Sequence, residues 1–75
     1  MYEFVLAICL VYDISGNPVN PCTMIPSPTV YASMAQCRSE AKRMEIQYFD
    51  LFSREYPEAS IVMSSPCGTS TRQGS

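Results

Sequence analysis

The side chains with the most chemistry to offer in this 75-residue chain are four cysteines, Cys9, Cys22, Cys37 and Cys67, in a sequence without a histidine. Thiolates bind zinc when they arrive in close pairs, but no two of these cysteines form a C-x-x-C knuckle. Nucleophilic catalysis by cysteine or serine needs a base beside the nucleophile, and the commonest base is missing. There is no glycine-rich phosphate loop. Glu40 and Glu45 could be nominated for acid–base work, yet on a helix they read as a solvated face beside the i, i+4 pair Asp50 and Arg54. The residue types therefore point away from an enzyme and away from any cofactor or metal. What the cysteines can do is bond to one another.

Which cysteines meet depends on the elements that carry them. From Phe4 to Tyr12 the chain is unbroken apolar sequence; in an extended strand Val5, Ala7, Cys9 and Val11 point one way and Phe4, Leu6, Ile8 and Leu10 the other. Such a strand is suited to burial on both faces. The run is about half as long as a membrane-spanning helix needs, so no membrane span is expected. Glu3 and Asp13 flank it where a secretory leader would want basic residues and a small-x-small site. LAIC, ending at Cys9, loosely resembles a lipoprotein box, but Ile8 is too large for one.

Next comes ISGNPVNPC, in which Ser15-Gly16-Asn17-Pro18 is the expected reversal. Four of the six prolines lie between Pro18 and Pro28, which excludes a helix and leaves an edge-like return that pairs over short stretches such as Thr23 to Ile25 or Thr29 to Tyr31. Ser33-Met34-Ala35-Gln36 fits a capping box. A helix then runs to Glu55 or Tyr56, where Pro57 stops it, with Met34, Cys37, Ala41, Met44, Tyr48 and Leu51 drawing one apolar stripe. Ala59 to Met63, β-branched and bounded by Pro57 and SSPCG, reads as a third strand.

These placements favour one connectivity of the three that four cysteines allow. Cys9 and Cys22 are equidistant from a turn centred on Ser15-Gly16, so closing the hairpin sets them opposite one another. Cys37 lies one turn into the helix, and a strand from Ala59 running back along that helix delivers Cys67 beside its start. An oxidising compartment then gives Cys9–Cys22 with Cys37–Cys67; a reducing one leaves four small buried hydrophobes, and the lack of a leader signal weighs toward it.

The balance of charge, five Lys and Arg against seven Asp and Glu, argues against nucleic acid as a partner. Hydrophobic residues are 47% of the chain and charged ones 16%, a generous apolar share for a length that buries only roughly 60% of its unfolded surface. Two surfaces could absorb the surplus. One is the strand's odd-numbered face, with Val5 and Val11, which a single helix on the other face cannot cover. The second is a line opposite the helix core stripe, Lys42, Ile46, Phe49, Ser53 and Tyr56, three of which are large and apolar. The two are candidate and competing partner-binding sites, for a second copy in a homodimer or for another protein.

The apolar first strand, the cysteine after a proline-rich turn and the helix start YASMAQCRSEAKR, with Tyr31, Ser33 and Cys37 in a Y-x-S-x-x-x-C pattern, resemble small orphan accessory proteins of bacteriophages and prophages. The resemblance brings no catalytic motif. It implies a viral inhibitor or modulator of a host protein or protein complex, for example a counter-defence factor such as an anti-CRISPR, acting in the host cytoplasm. The alternative is a disulfide-stapled structural or oligomeric component, extracytoplasmic or virion-associated. The expected fold is a single α+β domain over residues 1–68 in β-β-α-β order, a short antiparallel sheet with one long helix on one face, followed by a flexible polar tail over 69–75.

Overall fold

In the computed structural model, which describes residues 1–71, the apolar run becomes β1, Tyr2–Ile14, and every other strand pairs with it. Ser15 and Gly16 form the hairpin turn with φ of 52° and 83°. Positive φ at both central residues is the signature of a type I′ turn, whose twist matches that of the strands it joins. The return path comprises β2, Asn17–Val19, and β3, Cys22–Pro26. Both keep one register against β1, from Ile14 opposite Asn17 to Cys9 opposite Cys22 and Val5 opposite Pro26.

Proline accounts for the break between them. The Leu10 N–H donates to the Pro21 carbonyl at 2.9 Å, but Pro21 has no N–H to return, so one rung of the ladder is missing. The same alternation turns the nitrogens of Pro18 and Pro26 outward, which removes two donors from the sheet's free edge and blunts it against pairing with another strand. On the other side of β1 lie β4, Ser60–Ser64, and β5, Cys67–Thr69, again in one register, with Pro66 between them. The sheet is thus three strands wide with β1 in the middle. The chain is a small α+β domain in the expected β-β-α-β arrangement, with each flanking strand cut in two by a proline.

Helix α1, Met34–Glu55, starts where the Ser33 hydroxyl accepts the Gln36 N–H at 3.1 Å and ends where the Tyr56 N–H donates to the Phe52 carbonyl. It packs on β1, β4 and β5. The other flank of the same face is closed by the segment before the helix. There Tyr31 and Tyr2 exchange two backbone hydrogen bonds of 2.8 Å, and the Tyr31 ring stacks on Phe4 with centroids 6.1 Å apart. Ser27, also buried, lends its hydroxyl to the Phe4 N–H where the ladder bends away, and donates that hydroxyl's proton to the Thr29 carbonyl.

The core is Phe4, Leu6 and Ile8 from β1, with Tyr31, Cys37, Ala41 and Met44; Ile25, Tyr48, Phe52, Ile61, Met63 and Cys67 pack at its margin. Burying a side chain such as Leu6 or Ile8 stabilises the fold by about 1.5–3 kcal/mol. Two expectations are corrected. Leu51 is 47% exposed, and Phe52 completes the stripe in its place. Three helical turns are about 10.8 residues, which from Ala41 arrive nearer Phe52 than Leu51. The tail also begins later than residue 69: Thr69 pairs with Tyr2, the Ser70 N–H donates to the Met1 carbonyl, and the Ser70 hydroxyl donates to Glu3 at 2.8 Å. Residues 72–75 of the expected tail lie outside the described residues.

Urea denaturation separates the two ends of the stripe. Met44→Ala should cost about 2–5 kcal/mol through the cavity it leaves, and Leu51→Ala no more than about 0.5–1 kcal/mol because it is half in water. Ser33→Ala should cost about 1 kcal/mol through the lost cap. Equal losses at Met44 and Leu51 would reverse the assignment of the helix face.

Candidate functional site

The two bonds that the cysteines form sit on opposite faces of the sheet. Cys9 and Cys22 are joined across the hairpin with Cα atoms 4.1 Å apart. Because Leu10 and Pro21 hold the neighbouring hydrogen-bonded position, Cys9 and Cys22 fall at a non-hydrogen-bonded pair, where facing side chains are closest. Cys37, fully buried, is joined to Cys67, Cα to Cα 6.3 Å, and ties the first turn of α1 to β5. No cysteine is free. The Y-x-S-x-x-x-C pattern is therefore an anchor for the helix start: Tyr31 packs on Phe4, Ser33 caps and Cys37 is bonded.

Among the described residues no group of three or more Cys, Asp and Glu could hold a metal ion, and no helix is long and apolar enough to cross a membrane. Glu40 accepts from Arg43 at 2.6 Å and raises the pKa of that exposed guanidinium, while Glu45 accepts from Ser65. Glu40 thus serves the helix surface, whereas Glu45, expected on a solvated face, is half-buried and ties α1 to the connection between β4 and β5. A shallow cleft of about 530 Å³ lies between the end of β1 and the turn after α1, lined by Tyr12, Asp13, Tyr56, Pro57, Glu58 and Ala59. It holds two exposed carboxylates and no cationic or imidazole partner for them.

The remaining feature is the side of the sheet that α1 does not cover. Register fixes its rows. Val5 lies beside Pro26, Ala7 between Met24 and Ser64, Cys9 between Cys22 and Val62, and Val11 beside Ser60. Val5 and Val11 are exposed, as expected, and Met24 and Val62 are 65% and 57% exposed. The result is an apolar strip about 10 Å wide, given strands about 4.8 Å apart, with the Cys9–Cys22 bond in its middle. Its ends are acidic: Glu3 precedes Val5 on the same face, and Asp13, beside Glu58 in the cleft, follows Val11.

Lys42, Ile46 and Phe49 are exposed on the outer side of α1, Ile46 at 66%. Tyr56 lies just past the helix end, half exposed, with its ring stacked on Phe52 at 5.9 Å. The structure thus places Val5 and Val11 on one side of the molecule and Lys42, Ile46 and Phe49 on the other. Met24 and Val62 escaped the sequence reading. Met24 was within reach, since a register counted from Ser15-Gly16 sets it opposite Ala7; Val62 needed the partner of its strand to be known.

Charge divides the same way. Four of the five basic residues, Arg38, Lys42, Arg43 and Arg54, are on α1, where Glu40, Glu45, Asp50 and Glu55 balance them. Arg43 pairs with Glu40 and Arg54 with Asp50; among the described residues Arg38 and Lys42 make no ion pair. Glu3, Asp13 and Glu58 are acidic, and outside α1 the described chain has no basic side chain. Comparison with family models, with curated proteins and with solved structures finds no match to this chain.

In the chain-entropy account, loops closed at separations of 13 and 30 residues are worth about 3–4 kcal/mol each. Cys37→Ser, Cys67→Ser and the double variant should lose the same stability under oxidising conditions, because each removes the same bond. Graded reduction followed by alkylation and peptide mapping should label Cys9 and Cys22 first, since Cys22 is exposed and Cys37 is buried. Labelling of Cys37 and Cys67 before the other pair would contradict the burial described above.

Proposed function

We propose that this chain is a non-enzymatic protein-binding module that works through the open face of its sheet. The observation that carries the reading is the exposed apolar strip of Val5 and Val11 on β1, with Met24 and Val62 on the strands beside it, on a sheet whose other face is buried from Phe4 to Leu10 of β1. Contiguous apolar surface of this kind, rimmed by polar groups, marks contact sites. The partner has a complementary chemistry: an apolar ridge about one helix wide, with Lys or Arg placed to meet Asp13 and Glu58 at one end of the strip. Like charges face to face are costly in an interface. Two copies packed sheet against sheet would bring Glu3, Asp13 and Glu58 against one another in either orientation, so that pairing is disfavoured.

Both disulfides support the setting of a disulfide-stapled component outside the reducing cytosol, extracytoplasmic or virion-associated, over an inhibitor acting on a host complex in the cytoplasm, where thiols are kept reduced. Affinity capture under non-reducing conditions tests the binding face. Val11→Glu and Val62→Glu should lose any protein retained by the parent, while Gln47→Glu, the same change of charge on the helix flank, should keep it. Equal retention by all the variants, each shown to be folded by circular dichroism, would remove the sheet face from the reading.

A further inference from the structure

We propose that the partner of the open sheet face is the outer stripe of α1 on a second copy of this chain, so that copies associate head to tail. The inference rests on the sheet-face reading above and names its occupant. Counted at 100° per residue, Ile46 and Phe49 fall within an arc of about 80° with Arg38 and Lys42, the two helix cations that make no ion pair among the described residues, and Tyr56 follows just past the helix end. The arc is basic in its first half and apolar in its second. The sheet strip is acidic at the Asp13 and Glu58 end and apolar from Val11 back to Val5, beyond which Glu3 accepts from the Ser70 hydroxyl of its own chain. Laid together with Arg38 and Lys42 over Asp13 and Glu58, the two match in sign at that end and in apolarity from Val11 to Val5.

Their dimensions agree as well. Arg38 to Tyr56 spans about 27 Å at 1.5 Å per helical residue, and Val5 to Asp13 spans about 26 Å at about 3.3 Å per strand residue. A three-stranded face about 10 Å across takes one helix of about 10–12 Å diameter. The contact would repeat on the open face the helix-on-sheet packing already present on the covered one. Because the two surfaces are different, and Lys42, Ile46 and Phe49 lie across the molecule from Val5 and Val11, each bound copy leaves a free helix and a free sheet, and assembly grows as a ring or a filament instead of stopping at two. The strip is small beside the roughly 800 Å² per partner of a standard interface, so association is weak and shows at high concentration.

Complementation separates this arrangement from its rivals. In sedimentation velocity from micromolar to millimolar concentration, the parent should grow in average mass beyond a dimer, and more so at low salt. Ile46→Glu spoils the helix stripe and Val11→Glu spoils the sheet face; each variant alone should remain monomeric with the circular dichroism of the parent. Mixed one to one, they should form a heterodimer and nothing larger, because one brings an intact sheet face and the other an intact helix. A parent that is monomeric throughout overturns the proposal, as does a parent that stops at a dimer. Ile46→Glu that assembles like the parent while Val11→Glu does not would also overturn it, and would leave the sheet face itself standing as a binding surface.

Discussion

β1 is apolar on both of its faces, and the described residues hold one helix to cover them. From Phe4 to Leu10 the even-numbered side chains are buried beneath α1 and the Tyr31 segment, and that half of the strand supplies most of the core. Hairpin, crossover helix and returning strand are all arranged around this one strand, since every other strand pairs with it and none pairs with another. A domain of this length buries too little surface to stabilise itself generously. The two covalent bonds therefore carry a share of the stability comparable to the total of about 0.05–0.15 kcal/mol per residue typical of folded chains.

Prolines define how far the sheet can be extended by its neighbours. Pro21 and Pro66 each face β1 and cost it a rung, while Pro18 and Pro26 face outward on the β2 and β3 edge. The inward pair limits the regularity of the flanking strands; the outward pair limits strand addition at that edge. With the edge blunted in this way, the surplus apolar surface of the sheet is available face-on, through side chains, and less available edge-on, through backbone hydrogen bonds. That bias is the reason the contact argued above is a helix laid across a face.

Much of this was legible from residue types alone, for reasons that differ by element. The two-residue turn fixed the hairpin register, and the register fixed Cys9 against Cys22, because counting outward from Ser15-Gly16 needs no tertiary information. Ser33 and Pro57 bounded the helix for a similarly local reason. What was not legible depended on packing between distant segments. Whether Leu51 or Phe52 faces the core turns on a drift of a fraction of a residue over three turns, and is settled by where the helix lies on β1 and β4. Ser27, between two prolines, carries no local signal of burial; its burial follows from the way the chain leaves the ladder beside Phe4. At the open face, Val5 and Val11 could be read from alternation, whereas Val62 joins them only once β4 is known to lie beside β1.

The two disulfides divide labour between the two faces. Cys37–Cys67 is under the helix, where it locks the start of α1 to β5 and reinforces packing that already exists. Cys9–Cys22 lies on the face where nothing packs, between the rows of Ala7 and Val11. It holds β1 and β3 in register at the point where Pro21 has removed a hydrogen bond, and so keeps Val5, Met24, Val62 and Val11 in one fixed strip without any overlying core. A contact surface ordered before it meets its partner loses less entropy on binding than one that must be ordered in the act. On the binding reading proposed above, a staple set in the middle of an uncovered apolar face would preorganise that face in addition to its share in stability, and would tie the redox state of the chain to the proposed contact.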